Sequence, residues 1–272
     1  MVKQYTSDGD GVFAILPNDL APSTTLGVLV RRCQNDRQGR LRWAAIVDCR
    51  GDKHLCRFFT LWHEIAHCLT AVEQYELPLY HRASIHATAK DSIETVTDLI
   101  AGDFAFYDPL FNPVLADEVA QAGRLTFAGV ERVRNIYCEE ASFKSTLYAC
   151  VTRLPSPLMW LEADLAYKKA ELAALASRQG EIIPSAPPTP ALRVTESFRN
   201  EAAVDIGLYI PKKMRVPESS VIFTAFFGSY SGQAREDLGE WSSRGRYLDY
   251  LPIHVEARKG FSGVSALITL LT

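Results

Sequence analysis

Long apolar runs are missing from this chain. No stretch reaches the roughly 18 residues that a helix needs to span a bilayer, so no membrane-spanning segment is expected. Residues 1–10 (MVKQYTSDGD) lack a basic start leading into an apolar segment, so no secretory signal is read there. Charge of one sign is also scarce. The 29 Lys and Arg against 32 Asp and Glu leave a net charge of −3, too near neutral for whole-chain electrostatic binding to DNA, RNA or anionic lipid. Paired cysteines are absent. Cys33, Cys49, Cys56, Cys68, Cys138 and Cys150 form no CxxC motif and sit mostly inside apolar runs. That pattern reads as reduced, buried thiols in a cytoplasmic protein. No repeat recurs at solenoid or propeller periods. What remains is ordinary globular material: 272 residues, 47% of them hydrophobic, enough for one large or two modest domains and incompatible with global disorder.

Residues 11–16 (GVFAIL), 26–31 (LGVLVR) and 41–47 (LRWAAIV) read as short strands separated by turn-rich segments. Gly51-Asp52 breaks the pattern, with Asp52 as N-cap of a helix over 53–74 that is apolar nearly all round. A polar loop covers 76–90. A second helix spans 92–106, with Val96, Leu99, Ile100 and Phe104 on one side, before Asp108-Pro109 and Asn112-Pro113 punctuate the chain. Phe127, Val130, Val133 and Tyr137 form one helical stripe; Phe143, Leu147 and Val151 form another. Residues 160–176, rich in Ala, Leu, Glu and Lys, read as a further helix. Residues 184–190 (PSAPPTP) read as an extended linker. Beyond it the texture turns to strands: 221–227, the alternation Leu251, Ile253, Val255, Ala257, and 264–271.

The chemistry lies in the first helix. His63-Glu64-Ile65-Ala66-His67 is an HExxH motif. Residues i and i+4 share a helix face one turn apart, so both imidazoles can converge on one ion. Glu64 stands beside that ion without binding it, where a carboxylate can take a proton from the attacking water and return it to the leaving amine. By chance such a motif arises in roughly one comparable sequence in a hundred. Two histidines and a glutamate on a nearly apolar helix are also costly to bury without a purpose.

A catalytic zinc site needs a third protein ligand and an open position. The downstream candidates are His81, His86, Asp91, Glu94, Asp98 and Asp103. Glu94 and Asp98 lie four apart on one face of the second helix. This arrangement suits Glu94 as ligand and Asp98 as acceptor of a hydrogen bond from the far nitrogen of a ligand histidine. His81 and His86, in the polar loop, are candidates for contact with the substrate or the transition state.

Residues 57–67 (RFFTLWHEIAH) resemble the RFTLAHELGH stretch of the ImmA/IrrE metallo-endopeptidases, and residues 93–104 (IETVTDLIAGDF) look like that family's glutamate helix. Trp62 and Ala66 depart from the small residue and the glycine usual there. The resemblance covers roughly residues 10–155. It implies zinc or manganese as cofactor, with His63, His67 and Glu94 as ligands. It also implies cleavage of a partner transcriptional repressor, switching on a stress-response or mobile-element programme. The expected fold is α+β: a small zincin-like peptidase core with a helical extension over 1–155, a helix and Pro-rich linker over 156–190, and a β-rich domain over 191–272. That last domain is GAF-like only by position and β-richness, and would take a small-molecule or redox effector. The rival reading is a metal-binding sensor or interaction module that regulates transcription without proteolysis. The segment 124–153 carries five basic and three acidic residues, too weak a footprint for direct nucleic-acid binding.

Overall fold

The computed structural model describes residues 2–5, 25–31, 43–70, 79–82, 92–177, 188–228, 231–241, 248–260 and 263–271. The chain is α+β and divides into two compact units, one of residues 1–117 and 131–149, the other of 118–130 and 150–272. The expected strand at 11–16 and most of the Pro-rich segment 184–190 lie outside the described residues.

The first unit is built on a four-stranded sheet of β1 (Val2–Tyr5), β2 (Thr25–Arg31), β3 (Trp43–Asp48) and β4 (Leu79–Arg82), in the order β1-β3-β2-β4. β1 runs parallel to β3; β2 is antiparallel to both β3 and β4. β1 carries no alternation that marks it in the sequence, and β4 falls within the stretch read as a polar loop. Val28, Leu29, Ala45, Ile46 and Val47 are buried.

Asp48 ends β3 and organises the turn after it. Its carboxylate accepts hydrogen bonds from Arg50 Nε (2.8 Å), Arg50 Nη2 (2.9 Å) and Lys53 Nζ (2.7 Å). These contacts fold residues Gly51–Cys56 into a 3-10 turn that feeds α1 (Arg57–Thr70). Asp52 therefore lies inside that turn and does not cap the long helix, which begins at Arg57. The α1 helix is also not apolar all round in burial. Its fully enclosed residues are Thr60, His63, Glu64, Ala66 and His67, while Leu69 is exposed. Four of these five are polar, the inverse of an ordinary core helix.

α2 (Ser92–Ala105) packs on α1 through small residues. Thr97, Ala101 and Ala105 are buried, whereas Val96, Leu99 and Phe104 face outward. The buried stripe is thus not the apolar one read from the sequence, because close helix approach favours small side chains over large ones. Thr70 Oγ1 and Thr97 Oγ1 meet at 3.0 Å and fix the register of the two helices. Tyr137 closes the end of α2: its hydroxyl donates to Ala105 O and accepts from Tyr107 N.

The Pro-containing punctuation at 108–113 is instead α3 (Asp108–Ala122). Pro109 stands in its first turn, where the missing N–H is not needed, and Pro113 removes a single internal bond. α4 (Phe127–Tyr137) and α5 (Phe143–Arg153) match the two helical stripes.

In the second unit a five-stranded antiparallel sheet runs β6-β5-β9-β8-β7, from β5 (Leu158–Ala166), β6 (Ala191–Arg199), β7 (Gly232–Asp237), β8 (Pro252–Lys259) and β9 (Val264–Leu270). β5 replaces the first half of the helix expected at 160–176; only α6 (Lys169–Ser177) is helical there. Leu158, Met159, Trp160 and Leu161 are all buried, so both faces of β5 are covered and the period-2 signal vanishes. A helix, α8 (Val221–Phe227), stands where strand was expected. Ser220 caps it by accepting from Ile222 N, and Glu236 Oε1 accepts from Val221 N. A shorter helix, α7 (Glu201–Asp205), is capped by Asn200, whose side chain also binds Leu154 O, Ser156 O and Leu158 N. The buried faces of the sheet, α7 and α8 form one apolar core with Trp241.

The Asp48 cluster yields a stability prediction. Burial of Asp48 works against its charge, but the Arg50 and Lys53 hydrogen bonds win and hold its pKa at about 2, below its ordinary 3.8. A depressed carboxyl pKa contributes stability that is present above pH 3.8 and lost as pH falls through 2. Asp48→Asn should therefore cost about 2 kcal/mol at pH 7, with the wild-type and variant unfolding curves converging as pH falls from 4 to 2. Equal stabilities at pH 7 would contradict the pinning role.

Candidate metal centre

Two helices bring the site together. α1 supplies His63 and His67 one turn apart, and α2 supplies Glu94 and, one turn on, Asp98. The imidazole Nε2 atoms of His63 and His67 lie 3.0 Å apart. Glu94 places Oε2 3.3 Å from His63 Nε2 and Oε1 3.6 Å from His67 Nε2. These three residues form a group that could hold a metal ion.

The donor spacing tests the fit. Ligand bonds of about 2.0–2.1 Å around a tetrahedral ion put neighbouring donor atoms about 3.3 Å apart. The two imidazole nitrogens, 3.0 Å apart, and the two Glu94 oxygens, one 3.3 Å from His63 and the other 3.6 Å from His67, lie near that value. Two imidazole nitrogens and a carboxylate also suit the zinc-like divalent ions.

His63 Nδ1 lies 2.9 Å from Asp98 Oδ1. A carboxylate there accepts a hydrogen bond from Nδ1–H, so the Nε2 lone pair is the one turned toward His67 and Glu94. Glu64 is fully buried between these ligands in sequence, and neither of its carboxylate oxygens has a hydrogen-bond partner among the described residues. The same holds for His67 Nδ1. Buried polar atoms are costly unless something beyond the described residues satisfies them.

The other sequence candidates separate cleanly. Asp103 lies on the exposed side of α2, outside the group. His81 is on β4, paired in register with Gly27 of β2. His86 and Asp91 lie outside the described residues. Two features escaped the sequence reading. Thr60, one turn before Glu64, is buried against the sheet, and Gly27 faces it from β2. The available signal was a glycine inside the β-branched run LGVLV, which marks close approach of another element.

The electrostatics carry a pH signature. Burial disfavours charge on His63, but the contacts with Asp98 and Glu94 and the nearby Glu64 outweigh it and lift its pKa from 6.5 to about 9. Burial lifts Glu64 from 4.5 to about 8, only partly opposed by the His63 charge. Burial, and then the charge on His63, lower His67. The metal-free site at neutral pH is thus a protonated one. The raised His63 pKa contributes stability that is complete below pH 6.5 and lost by about 9. The raised Glu64 pKa costs stability as pH climbs from 4.5 to about 8. Both make the metal-free unit weaker as pH rises through this range. A metal ion needs His63 Nε2 without its proton, so binding releases that proton. Zinc should therefore raise the Tm more at pH 8 than at pH 6, and calorimetry in two buffers should show net release of protons on binding. Zinc affinity independent of pH between 6 and 8 would contradict this.

No family model matches the chain, and no curated protein matches it.

Proposed function

We propose that this protein is a zinc-dependent endopeptidase of the ImmA/IrrE kind, with manganese as an alternative metal, and that it cleaves a helix-turn-helix transcriptional repressor. The observation that carries the reading is Glu64. A metal site that only binds or only braces the fold has no use for a non-ligating carboxylate beside it. Here that carboxylate is fully buried and both oxygens lack partners among the described residues. This favours catalysis over the rival reading, a metal-binding sensor without proteolysis.

In the proposed reaction His63, His67 and Glu94 hold the ion, and Asp98 keeps His63 in the tautomer that leaves Nε2 free to bind. A zinc ion held there would polarise the scissile carbonyl and acidify the attacking water to a pKa of about 7. Glu64 accepts the proton of that water and delivers it to the departing amine. His81 remains the candidate for substrate or transition-state contact, on the ground of its register beside Gly27; His86 has the same role by sequence alone. The repressor substrate rests on the resemblance of residues 57–67 and 93–104. No helix among the described residues is long and apolar enough to cross a membrane.

The second unit is proposed to receive a small effector. What supports this is a cleft of about 600 Å³ lined by Ser197, Phe198, Arg199, Tyr209 and Lys212 among others. Arg199 stacks over the Tyr209 ring at 4.6 Å and donates to Leu208 O, and no acidic residue among the described residues lines the cleft. The fitting chemistry is a small anion with an apolar or aromatic body. A ligand of this class, 2-naphthoate, should bind the full chain and lose tenfold or more in affinity in Arg199→Gln; unchanged binding in that variant would remove the assignment.

Glu64→Gln keeps the shape of the side chain and removes the base. Metal content should persist while cleavage of a helix-turn-helix substrate falls about a hundredfold or more. Cleavage at the wild-type rate would hand the site to the sensor reading.

A further inference from the structure

The position of Glu64 is set by shape. β2 lies against α1 and is paired on both edges at Gly27, with Val47 of β3 and His81 of β4. The amide and carbonyl groups of a strand paired on both edges are directed at its neighbours in the plane of the sheet. The β2–β4 ladder is irregular between Thr25 and Gly27, yet both oxygens of the carboxylate lack partners among the described residues, so β2 gives it a surface and no hydrogen bond.

That surface is tight at one point. A Cβ added to Gly27 would stand 2.7 Å from Glu64 Oε1, 3.0 Å from Glu64 Cγ and 2.7 Å from Thr60 Cγ2. All three distances fall well inside ordinary van der Waals contact, about 3.5–4.0 Å between carbons. The backbone at Gly27 is not in the left-handed region, so the strand conformation does not itself call for glycine. What the site needs is the missing side chain. The neighbours cannot yield cheaply: Thr60 is buried and stiff at χ1, and Glu64 is enclosed on every side.

We propose that Gly27 is a positioning residue for Glu64. By withholding a Cβ, β2 leaves the seat that keeps the carboxylate beside His63 and His67, and any side chain at 27 displaces it. The steric coupling stands by itself; its consequence for chemistry rests on the reading of Glu64 as the base.

The test uses the full chain carrying Thr60→Ser, which removes the threonine methyl from the comparison. Gly27→Ala is introduced with Glu64 intact and, separately, with Glu64→Ala. Thermal unfolding is measured on all four chains, and each is loaded with Co2+ for its visible absorption spectrum. With Glu64 present, Gly27→Ala should lower the Tm by about 5 °C or more, on the scale of a few degrees per kcal/mol for a chain of this size. It should also alter the cobalt spectrum. With Ala at 64 the Tm shift should shrink by at least half and the spectrum should not respond to Gly27→Ala. Insoluble Gly27→Ala protein that becomes soluble with Glu64→Ala supports the proposal in the same way. Equal Tm shifts in both backgrounds, insolubility in both, or a cobalt spectrum indifferent to Gly27→Ala with Glu64 present would overturn it. Absence of bound cobalt from every chain would defeat the metal reading, and the positioning role with it, whatever the thermal arm gives.

Discussion

Enclosing two imidazoles and a carboxylate on one face of α1 is the constraint around which the first unit is arranged. Isolated, such groups would be expelled or neutralised. Here α2 answers them from across the helix pair: Asp98 takes the Nδ1 side of His63, and Glu94 takes the Nε2 side of both histidines. The close approach that allows this is made by Thr97, Ala101 and Ala105, with the Thr70–Thr97 contact holding the register. Large apolar residues on α2 are turned outward in consequence. The apolar contribution of the unit comes from the sheet beneath and from the Phe106, Phe111 and Tyr137 rings that close the end of α2.

The same arrangement divides the labour among four carboxylates and two histidines by environment alone. Asp48, held by two cations, stays ionised and serves the turn into α1. Glu94 and Asp98 are partly exposed and face histidines. Glu64 is enclosed, and burial raises its pKa against the opposing charge of His63. A group that could hold a metal ion and an enclosed carboxylate beside it arise together from one helix pair laid on one sheet.

The site was legible in the sequence because its period is rigid. HExxH sets two imidazoles side by side by helical geometry, and Glu94 with Asp98 repeats the same four-residue spacing on the next helix. The strands at 26–31 and 41–47, the helices at 127–137 and 143–153, and β8 and β9 were visible for similar reasons of period. The failures share a cause, which is burial that does not follow the local pattern. β5 is covered on both faces and is made of residues favourable to helix, so its pairing with β6 and β9 overrides propensity. Residues 221–227 are rich in β-branched and aromatic side chains, yet the Ser220 cap and the Glu236 acceptor commit them to helix. The glycine in LGVLV signals a close approach, but not what approaches, because its neighbours lie more than thirty positions away.

The central claim is that His63, His67 and Glu94 form a site for one divalent ion. Elemental analysis of the purified full chain after incubation with zinc and desalting tests it most directly, alongside the His67→Ala variant. The account predicts about one equivalent of metal per wild-type chain and none above background in His67→Ala. Metal-free wild-type protein, or full occupancy in His67→Ala, would contradict it.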